Sequence, residues 1–397
     1  MEEIKVPKGF SAAGAICGIK KSGKKDFALI VSDSPCQAAG FFTQNAFAAA
    51  PVELCRQHLK KSSGIRAIAI NSGCANACTG KKGLADAREM ARLVSKAVGC
   101  KTENVLVAST GVIGPYLPME KISAGVNMTA QGLSPNGFRD AAESIMTTDT
   151  KMKIASLDLE IGGRTIAFLG IAKGSGMIHP QMATMLAFIT TDAAISGAAL
   201  RKAGKRAVAL SFNCVTVDGD TSTNDTLLIL ANGRAGNKTI ASSGRDYEIF
   251  QSALTDICQA LARMIAEDGE GATRVIRINV AGARNEKDAQ RAAKAVATSN
   301  LVKTAIFGRD ANWGRIICAV GNSGAAFIPD KITVHMGDVR LFAKGAQQVK
   351  SEEDLRRVME NREVPIAIDL KNGAASAMCW TCDLTYDYIK INADYRT

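Results

Sequence analysis

The stretch KGSGMIHPQMATMLAFITTD, residues 173–192, departs most clearly from the pattern of ordinary packing. A strand runs into the glycine-rich turn at residues 173–176, and Pro180 interrupts local structure before a β-rich run that begins near Met185. One interpretation is a glycine loop between two strands, with Thr184 as the first residue of the second strand. The other is a strained loop that prepares Thr184 for chemistry.

Elementary chemistry makes the second interpretation specific. A threonine hydroxyl is a weak nucleophile that needs a neighbouring base, and the α-amine of an N-terminal threonine can be that base. The amine is released only if the bond between Ala183 and Thr184 is cut. A strained loop can set the Thr184 hydroxyl against the Ala183 carbonyl, so that an ester forms and is hydrolysed. The local pattern favours the plain glycine loop but leaves both interpretations open.

Short β-rich runs alternate with helical patterns on both sides of this stretch. Apolar residues at helical spacing, closed by Gly99, predict a helix over residues 84–98. A wider apolar stripe predicts a second helix over residues 246–266. This alternation predicts an α/β or α+β fold with mixed sheets. Strands are predicted at residues 27–31, 67–70, 105–108, 165–172, 185–191, 207–217, 332–335, 364–368 and 389–391.

The texture of the sequence changes near residue 280, where a polar segment leads into a short helical pattern. We therefore expect a catalytic domain over residues 1–280, which contains the candidate cleavage point, and a smaller domain over residues 281–397. Within the second domain, Pro365 cannot donate a ladder hydrogen bond, so the strand at 364–368 is expected at a sheet edge.

Composition limits the classes of function. No apolar run approaches the roughly 20 residues of a membrane span, and the opening MEEIKVPKGF lacks the apolar segment of a secretory signal, so a cytoplasmic protein without a membrane partner is expected. Eleven irregularly spaced cysteines fit a reducing compartment. The net charge of +11 comes from isolated basic pairs with few aromatic residues between them, which favours small anionic ligands over nucleic acid.

Three motifs lack a part that their usual chemistry requires. GIKKSGKK, residues 18–25, has the spacing of a phosphate loop but ends in lysine, where Ser or Thr would hold magnesium. A calcium loop that starts at Asp218 in VDGDTSTND, residues 217–225, would need Gly at its sixth position and Glu at its twelfth, where the chain has Thr223 and Ile229. CWTC, residues 379–382, precedes a strand-like run and has no well-spaced second pair, so structural cysteines are favoured. No metal site is expected.

Ordered sequence blocks run along almost the whole chain: NSGCANACTG (71–80), ASTGVIGPYLP (108–118), MTTDT (146–150), KGSGMIHPQMATML (173–186), VDGDTSTNDT (217–226), EDGEGATR (267–274), GRDANWGRI (308–316) and YIKINADYRT (388–397). Through these blocks the chain resembles the ornithine acetyltransferase (glutamate N-acetyltransferase) family of arginine biosynthesis. The resemblance implies a self-cleaving, N-terminal-nucleophile-like fold, a layered mixed-sheet sandwich with helices outside and a smaller C-terminal α/β domain. It also implies a cut between Ala183 and Thr184 into chains 1–183 and 184–397.

The resemblance also implies the reaction. The acetyl group of N2-acetyl-L-ornithine would pass to Thr184 and then to the α-amine of L-glutamate, without a cofactor. Each of the two acetyl transfers passes through a tetrahedral intermediate, which needs an oxyanion hole. The family pattern places the oxyanion hole on Thr110 and Gly111. Acetyl-CoA as a second donor is left open. Two copies of each fragment are implied to form a heterotetramer.

Substrates of this kind need a cation for the α-carboxylate and an anion for the side-chain amine. The resemblance places these on Lys173 and Glu270, although from the residues alone Lys173 could be a solvated loop lysine and Glu270 a helix-end charge. Two rivals remain: a related self-processed amidase or aminopeptidase with water as acceptor, and an uncleaved binding protein. The implied substrate-binding residues are Thr147, Lys173, Thr184, Glu270, Asn392 and Thr397.

Overall fold

The computed structural model describes residues 3–62, 64–179, 185–349 and 351–394. These residues divide into two compact units. Of the described residues, those between 3 and 213 and between 220 and 265 form the first unit, and those between 214 and 219 and between 266 and 394 form the second. Each unit has its own sheet and hydrophobic core.

The first unit is built on an eight-stranded mixed sheet in the order β4-β3-β2-β8-β7-β6-β5, with β1 paired to β2 outside this path. The pairs β3–β4 and β7–β8 are parallel, and the remaining pairs are antiparallel. The strands are β1 (Phe10–Ala15), β2 (Phe27–Phe42), β3 (Ile65–Cys74), β4 (Val105–Val112), β5 (Lys153–Ile161), β6 (Arg164–Lys173), β7 (Leu186–Thr191) and β8 (Thr226–Ala231).

The long strand β2 joins the two halves of this sheet. Its first part, residues 27–31, pairs with both β1 and β3, whereas residues 37–42 pair with β8. The register is irregular between Val31 and Cys36. A single strand therefore connects the β1–β3–β4 half to the β8–β7–β6–β5 half.

Among the described residues, six helices accompany this sheet, and each of them buries apolar side chains. Met90 and Val94 of the second helix, for example, are fully buried in the same cluster as Ile68 and Ile70 of β3. Gly99 ends that helix in the left-handed conformation, with φ of +72°, as expected of a C-terminal glycine. The helices are α1 (Ala50–Lys61), α2 (Gly80–Val98), α3 (Met119–Gln131), α4 (Phe138–Ser144), α5 (Gly197–Ala209) and α6 (Arg245–Glu267).

The second unit contains a six-stranded mixed sheet in the order β12-β11-β10-β13-β9-β14. Its strands are β9 (Val275–Ala283), β10 (Thr333–Met336), β11 (Val339–Ala343), β12 (Ala346–Gln347), β13 (Glu363–Asp369) and β14 (Ala375–Cys382). Its helices are α7 (Glu286–Thr298), α8 (Asn300–Phe307), α9 (Trp313–Gly321), α10 (Glu352–Glu360) and α11 (Tyr386–Asp394). Layers of mixed sheet with helices occur in both units, so the predicted fold class is confirmed.

The second unit begins at residue 266, before the boundary that the polar segment near residue 280 suggested. β9 explains the difference, because it lies between β13 and β14 inside the second sheet. The polar segment after β9 is mostly the start of α7, where the Asn285 side chain accepts a hydrogen bond from the Asp288 amide at 2.8 Å. The polar residues here therefore form the start of a helix and its exposed face, and they do not mark a domain boundary.

Two strand predictions are wrong. Residues 207–209 end α5, and a short 3₁₀ turn at Phe212–Cys214 follows, because Ala203 and Ala207 continue the buried face of that helix. Residues 389–391 lie in α11. Their apolar–polar–apolar pattern is too short to separate the strand period from the helix period, and the Thr385 hydroxyl accepts a hydrogen bond from the Tyr388 amide at 3.3 Å, as an N-cap does.

The expected edge position of Pro365 is also wrong, because β13 pairs with β10 on one side and with β9 on the other. The β10 ladder covers residues 366–369 of β13. The Pro365 carbonyl accepts from the Gly337 amide at 2.9 Å, just beyond the end of that ladder. The missing proline N–H therefore falls where no ladder partner requires it.

Among the helices that the structure describes, none is both long enough and apolar enough to cross a membrane.

Candidate active site

Lys173 brings together three of the predicted site residues inside the first unit. It is the last residue of β6, and its side chain is buried. The Lys173 Nζ donates hydrogen bonds to Thr147 Oγ1 at 2.8 Å and to Thr110 Oγ1 at 3.1 Å. The interpretation of Lys173 as a solvated loop lysine is therefore wrong.

The Thr110–Gly111 pair lies at the end of β4, where its pairing with β3 becomes irregular at Gly73 and Cys74. Gly111 has φ of +127°. A Cβ atom added to Gly111 would lie 2.4 Å from the Gly73 carbonyl carbon and 2.6 Å from the Cys74 nitrogen. Only glycine fits this backbone, so the local conformation of the pair depends on a residue without a side chain.

The contact with Lys173 also orients the Thr110 hydroxyl. An ammonium can only donate, so Thr110 Oγ1 must accept from Lys173, and its own proton points to another acceptor. Hydroxyl groups and backbone amides are both donors that oxyanion holes use.

A buried carboxylate, Asp149, organises the residues around Lys173. One of its oxygens accepts from Lys153 Nζ at 2.6 Å and from the Gly174 amide at 2.7 Å, and the other accepts from the Thr147 amide at 3.0 Å. Burial alone would raise the pKa of Asp149. The charges of Lys153 and Lys173 and the donated hydrogen bonds outweigh burial and lower this pKa to about 2. Asp149 is therefore a carboxylate that fixes the backbone on both sides of the cluster.

Lys20 is a further cation whose titration is linked to the site. Burial lowers the pKa of Lys20 to about 8; the Asp26 carboxylate opposes this shift, and the positive charge of Lys173 adds to it. The Lys20 ammonium donates to the Lys25 carbonyl at 2.7 Å. Both residues come from the GIKKSGKK segment, which we rejected as a phosphate loop.

Sequence reasoning missed Asp149, Lys153 and Lys20. Asp149 lies in the block MTTDT, which contributed to the family resemblance but predicted no role for this carboxylate. The available signal was its spacing of four residues from Lys153 at the start of a β-rich run, because a charge that is buried with its strand needs a partner of opposite charge nearby.

The start of β7 is the part of the candidate nucleophile segment that the structure describes. Leu186 is the register partner of Lys173, and the Met185 carbonyl accepts from the Thr226 amide at 3.0 Å. Met185 directly follows Thr184 in the sequence. Ala183, Thr184 and Thr397 lie outside the described residues.

Glu270 and Asn392 contact each other inside the second unit. Asn392 Nδ2 donates to Glu270 Oε2 at 2.8 Å, and the Glu270 side chain is buried. Gly271, with φ of +69°, allows close approach of the start of α11, since an added Cβ would lie 2.6 Å from the Tyr388 nitrogen. Two of the six residues that the resemblance places in the substrate pocket, Glu270 and Asn392, therefore form a hydrogen-bonded pair.

Cys379 and Cys382 lie in β14 as buried free thiols. Burial raises the pKa of Cys379 well above its usual range and raises that of Cys382 to about 11. Neither thiol is therefore poised for thiolate chemistry.

Comparisons with known proteins match this chain to one family over almost its whole length. The sequence profile of the ArgJ family matches residues 11–397. A protein of Symbiobacterium thermophilum named arginine biosynthesis bifunctional protein ArgJ is 52% identical over 99% of this chain and 98% of its own length. A Thermotoga neapolitana protein of the same name is 50% identical over 99% of this chain and 100% of its own length.

A solved structure is also similar. The crystal structure of arginine biosynthesis bifunctional protein ArgJ from Bacillus halodurans is 42% identical in sequence, with a TM-score of 0.51. The match covers 52% of this chain and 97% of that chain. The matched crystal chain is therefore about half as long as this one.

Proposed function

Because this chain belongs to the ArgJ family, we propose that it moves the acetyl group of N2-acetyl-L-ornithine to L-glutamate through an acetyl-Thr184 intermediate, within arginine biosynthesis. The observation that carries the proposal is the buried contact of Lys173 with Thr110 and Thr147, beside the strand that follows Thr184. This cluster combines a cation for a carboxylate with an oriented hydroxyl for an oxyanion.

Thr184 first cuts its own chain. Its hydroxyl oxygen attacks the Ala183 carbonyl, the peptide nitrogen leaves as the new α-amine of Thr184, and water hydrolyses the resulting ester. The connection from β6 supports this step, because Gly174 has φ of +151° and Met177, a residue with a side chain, has φ of +56°. The half-length crystal chain of the Bacillus halodurans relative also fits a cut near the middle of the chain.

Two acyl transfers follow. In the first, Thr184 Oγ1 attacks the acetyl carbonyl while its α-amine takes the hydroxyl proton; the amide C–N bond breaks, and ornithine leaves with that proton. In the second, the glutamate α-amine attacks the Thr184 ester, and the hydroxyl is restored. The negative oxygen in each half accepts from the Thr110 hydroxyl and the Gly111 amide. Each such donor contributes on the order of 100- to 1,000-fold in rate.

Substrate recognition follows from the charges. Lys173 binds the α-carboxylate with help from Thr147, and Glu270, oriented by Asn392, binds the side-chain amine of ornithine. Thr397 completes the set, as the resemblance implies. A buried ammonium held by two hydroxyls has lost much of its hydration, which favours pairing with an anion.

Two measurements test the proposal. Denaturing intact-mass analysis should give fragments 1–183 and 184–397, and Thr184→Ala should give one full-length chain. The wild-type protein, incubated with acetyl-labelled N-acetylornithine and glutamate, should place the label in N-acetylglutamate. Label found only as acetate supports the amidase alternative, and an uncut, inactive wild-type chain supports a binding protein.

The remaining parts of the proposal have their own assays. Activity should survive dialysis against a chelator, since no cofactor takes part. N-acetylglutamate formation with acetyl-CoA as the sole donor decides whether acetyl-CoA is a second substrate. Native mass spectrometry should give two copies of each fragment, as the proposed heterotetramer requires.

A further inference from the structure

We infer that Asn224 is a positioning residue that clamps the oxyanion-hole pair Thr110–Gly111 from both sides. The inference rests on the proposed function, because that function assigns the oxyanion to this pair. Asn224 lies in the VDGDTSTND segment, which looked like a failed calcium loop in the sequence.

The Asn224 side chain is buried and fully engaged with its surroundings. Its Nδ2 donates to the Ala75 carbonyl at 2.7 Å and to the Ser109 carbonyl at 2.8 Å. Its Oδ1 accepts from the Thr223 hydroxyl at 2.6 Å. Because both carbonyls can only accept, the orientation of this amide is fixed by its neighbours.

These two carbonyls control opposite ends of the oxyanion-hole pair. The Ser109 carbonyl belongs to the peptide bond that leads into Thr110. On the other side, the Ala75 amide donates to the Val112 carbonyl at 3.0 Å. A single carboxamide therefore holds the residue before Thr110 directly and the residue after Gly111 through Ala75.

A side-chain clamp is needed here because the ladder between β3 and β4 loses its register at Gly73 and Cys74. Gly111 adds a backbone conformation that regular pairing does not enforce. Where ladder hydrogen bonds cannot fix a strand end, a buried amide can take their place.

The same segment also reaches the strand that follows the proposed nucleophile. The Thr226 amide donates to the Met185 carbonyl at 3.0 Å, and the Thr226 hydroxyl donates to the Asn224 carbonyl at 2.8 Å. Residues 224–226 therefore connect the oxyanion-hole pair to the start of β7. Because a displacement of about 1 Å can cost on the order of 100-fold in rate, this connection bears on catalysis.

The test is Asn224→Asp, which keeps the size of the side chain but carries no NH₂ group. We expect kcat for acetyl transfer to fall about 10- to 100-fold while KM for N-acetylornithine stays within about twofold. Single-turnover acetylation of Thr184, followed by intact mass, should slow by the same factor. The variant is assayed after mass analysis shows that its chain is cut.

Asn237→Asp is the matched control. Asn237 is also buried, and its Nδ2 also donates to two carbonyls, those of Ala194 at 3.0 Å and Lys238 at 2.8 Å. It has no hydrogen bond to the Ser109–Val112 segment. The same substitution should lower thermal stability by a similar amount and leave kcat within about twofold.

Thr223→Val provides a second variant if Asn224→Asp does not fold. It removes only the hydrogen bond to Asn224 Oδ1, so a smaller fall in kcat with unchanged KM is expected. Unchanged kcat in a folded Asn224→Asp or Thr223→Val protein, or an equal fall in Asn237→Asp, overturns the inference. A wild-type protein that transfers no acetyl group overturns the proposed function instead, so the two failures are distinct.

Discussion

At the scale of single residues, Lys173 connects the side chains of the candidate site. Its ammonium holds two threonine hydroxyls, and one of them is the proposed oxyanion donor Thr110. In the proposed mechanism Lys173 would act twice, once on the substrate carboxylate and once on the direction of the Thr110 proton. A substitution at Lys173 should affect both substrate binding and the chemical step.

Replacing Lys173 with Met keeps the length of the side chain and removes its charge. Hydrogen bonds to charged groups contribute about 1.5–3 kcal/mol, so KM for N-acetylornithine should rise about 10- to 100-fold, and kcat should fall as well. Steady-state kinetics measure both. Lys202→Met, which removes an exposed ammonium that donates to the Ser242 carbonyl, is the control and should change neither. An unchanged KM in Lys173→Met would show that Lys173 does not bind the substrate.

Asp149 is a structural carboxylate, so its replacement should appear in stability and in its pH dependence. Asp149→Asn leaves Lys153 buried without its counter-charge, which should cost about 3–5 kcal/mol at pH 7. The pKa of Asp149 is lowered from 3.8 to about 2, so its contribution is present above pH 3.8 and is lost as pH falls towards 2. The deficit of the variant should therefore shrink in acid, as thermal unfolding at pH 7 and pH 3 would measure.

The control for this measurement is Asp140→Asn. Asp140 pairs with Lys25 on the surface, and its side chain is 54% exposed. Exposed ion pairs contribute about 0–1 kcal/mol, so this variant should unfold close to the wild-type temperature. A deficit of Asp149→Asn that is equal at pH 7 and pH 3 would mean that the charge of Asp149 is not the cause.

At the scale of elements, the end of β4 has a shape that only glycine at residue 111 permits. Gly111→Ala would place a Cβ 2.4 Å from the Gly73 carbonyl carbon, so the strand end must shift. We expect the rate of acetyl transfer to fall at least 100-fold, because the amide of residue 111 leaves its place. Steady-state kinetics of the purified variant would measure this fall.

Gly114→Ala separates the steric clash from backbone strain. Gly114 also has a positive φ, +105°, but an added Cβ would meet no atom within 4 Å. The variant should lose some stability and keep kcat within a few-fold of wild type. Equal activities of the Gly111 and Gly114 variants would contradict the assignment of residue 111 to the oxyanion hole.

Elements also show where local pattern fails. The helix patterns at residues 84–98 and 246–266 are confirmed because each is long and amphipathic. The pattern at residues 389–391 is too short to indicate a period, and the Thr385 cap decides for a helix. An interior strand can contain Pro365 because the ladder with β10 ends beside it. The sequence alone cannot show where that ladder ends.

At the scale of the whole molecule, the proposed cut would separate chains that share one sheet. β7 and β8 follow Thr184 in the sequence, yet β2 and β6, from the part before the cut, flank them. The ladders β2–β8 and β6–β7 would therefore hold the fragments together. The cut protein should elute as one species from a native sizing column and separate into two chains only in denaturant.

Thr184→Ala serves as the control, since its uncut chain should elute at the same volume as the cut protein. Fragments that separate without denaturant would contradict the strand order. Because the cut falls in the connection between β6 and β7, it should leave the two strands and their ladder in place.

The sequence by itself determined the fold class, the longest helices, most strands of the first sheet and the family. These features follow from periodicity, from turn residues and from ordered motifs, which are local or can be read directly. The chemistry of the proposed reaction also predicts a cation and an oxyanion hole, and the family resemblance places them on Lys173 and on the Thr110–Gly111 pair.

Only the tertiary structure decided how those residues are held. The buried Asp149 behind Lys173 and the Asn224 clamp join segments that lie about 25 or more residues apart in the chain. They hold the site through hydrogen bonds and charges between residues that are far apart in the sequence, in a place from which water is excluded. No local pattern encodes such a contact, because a carboxylate or a carboxamide in the sequence looks the same whether it faces solvent or fixes a strand.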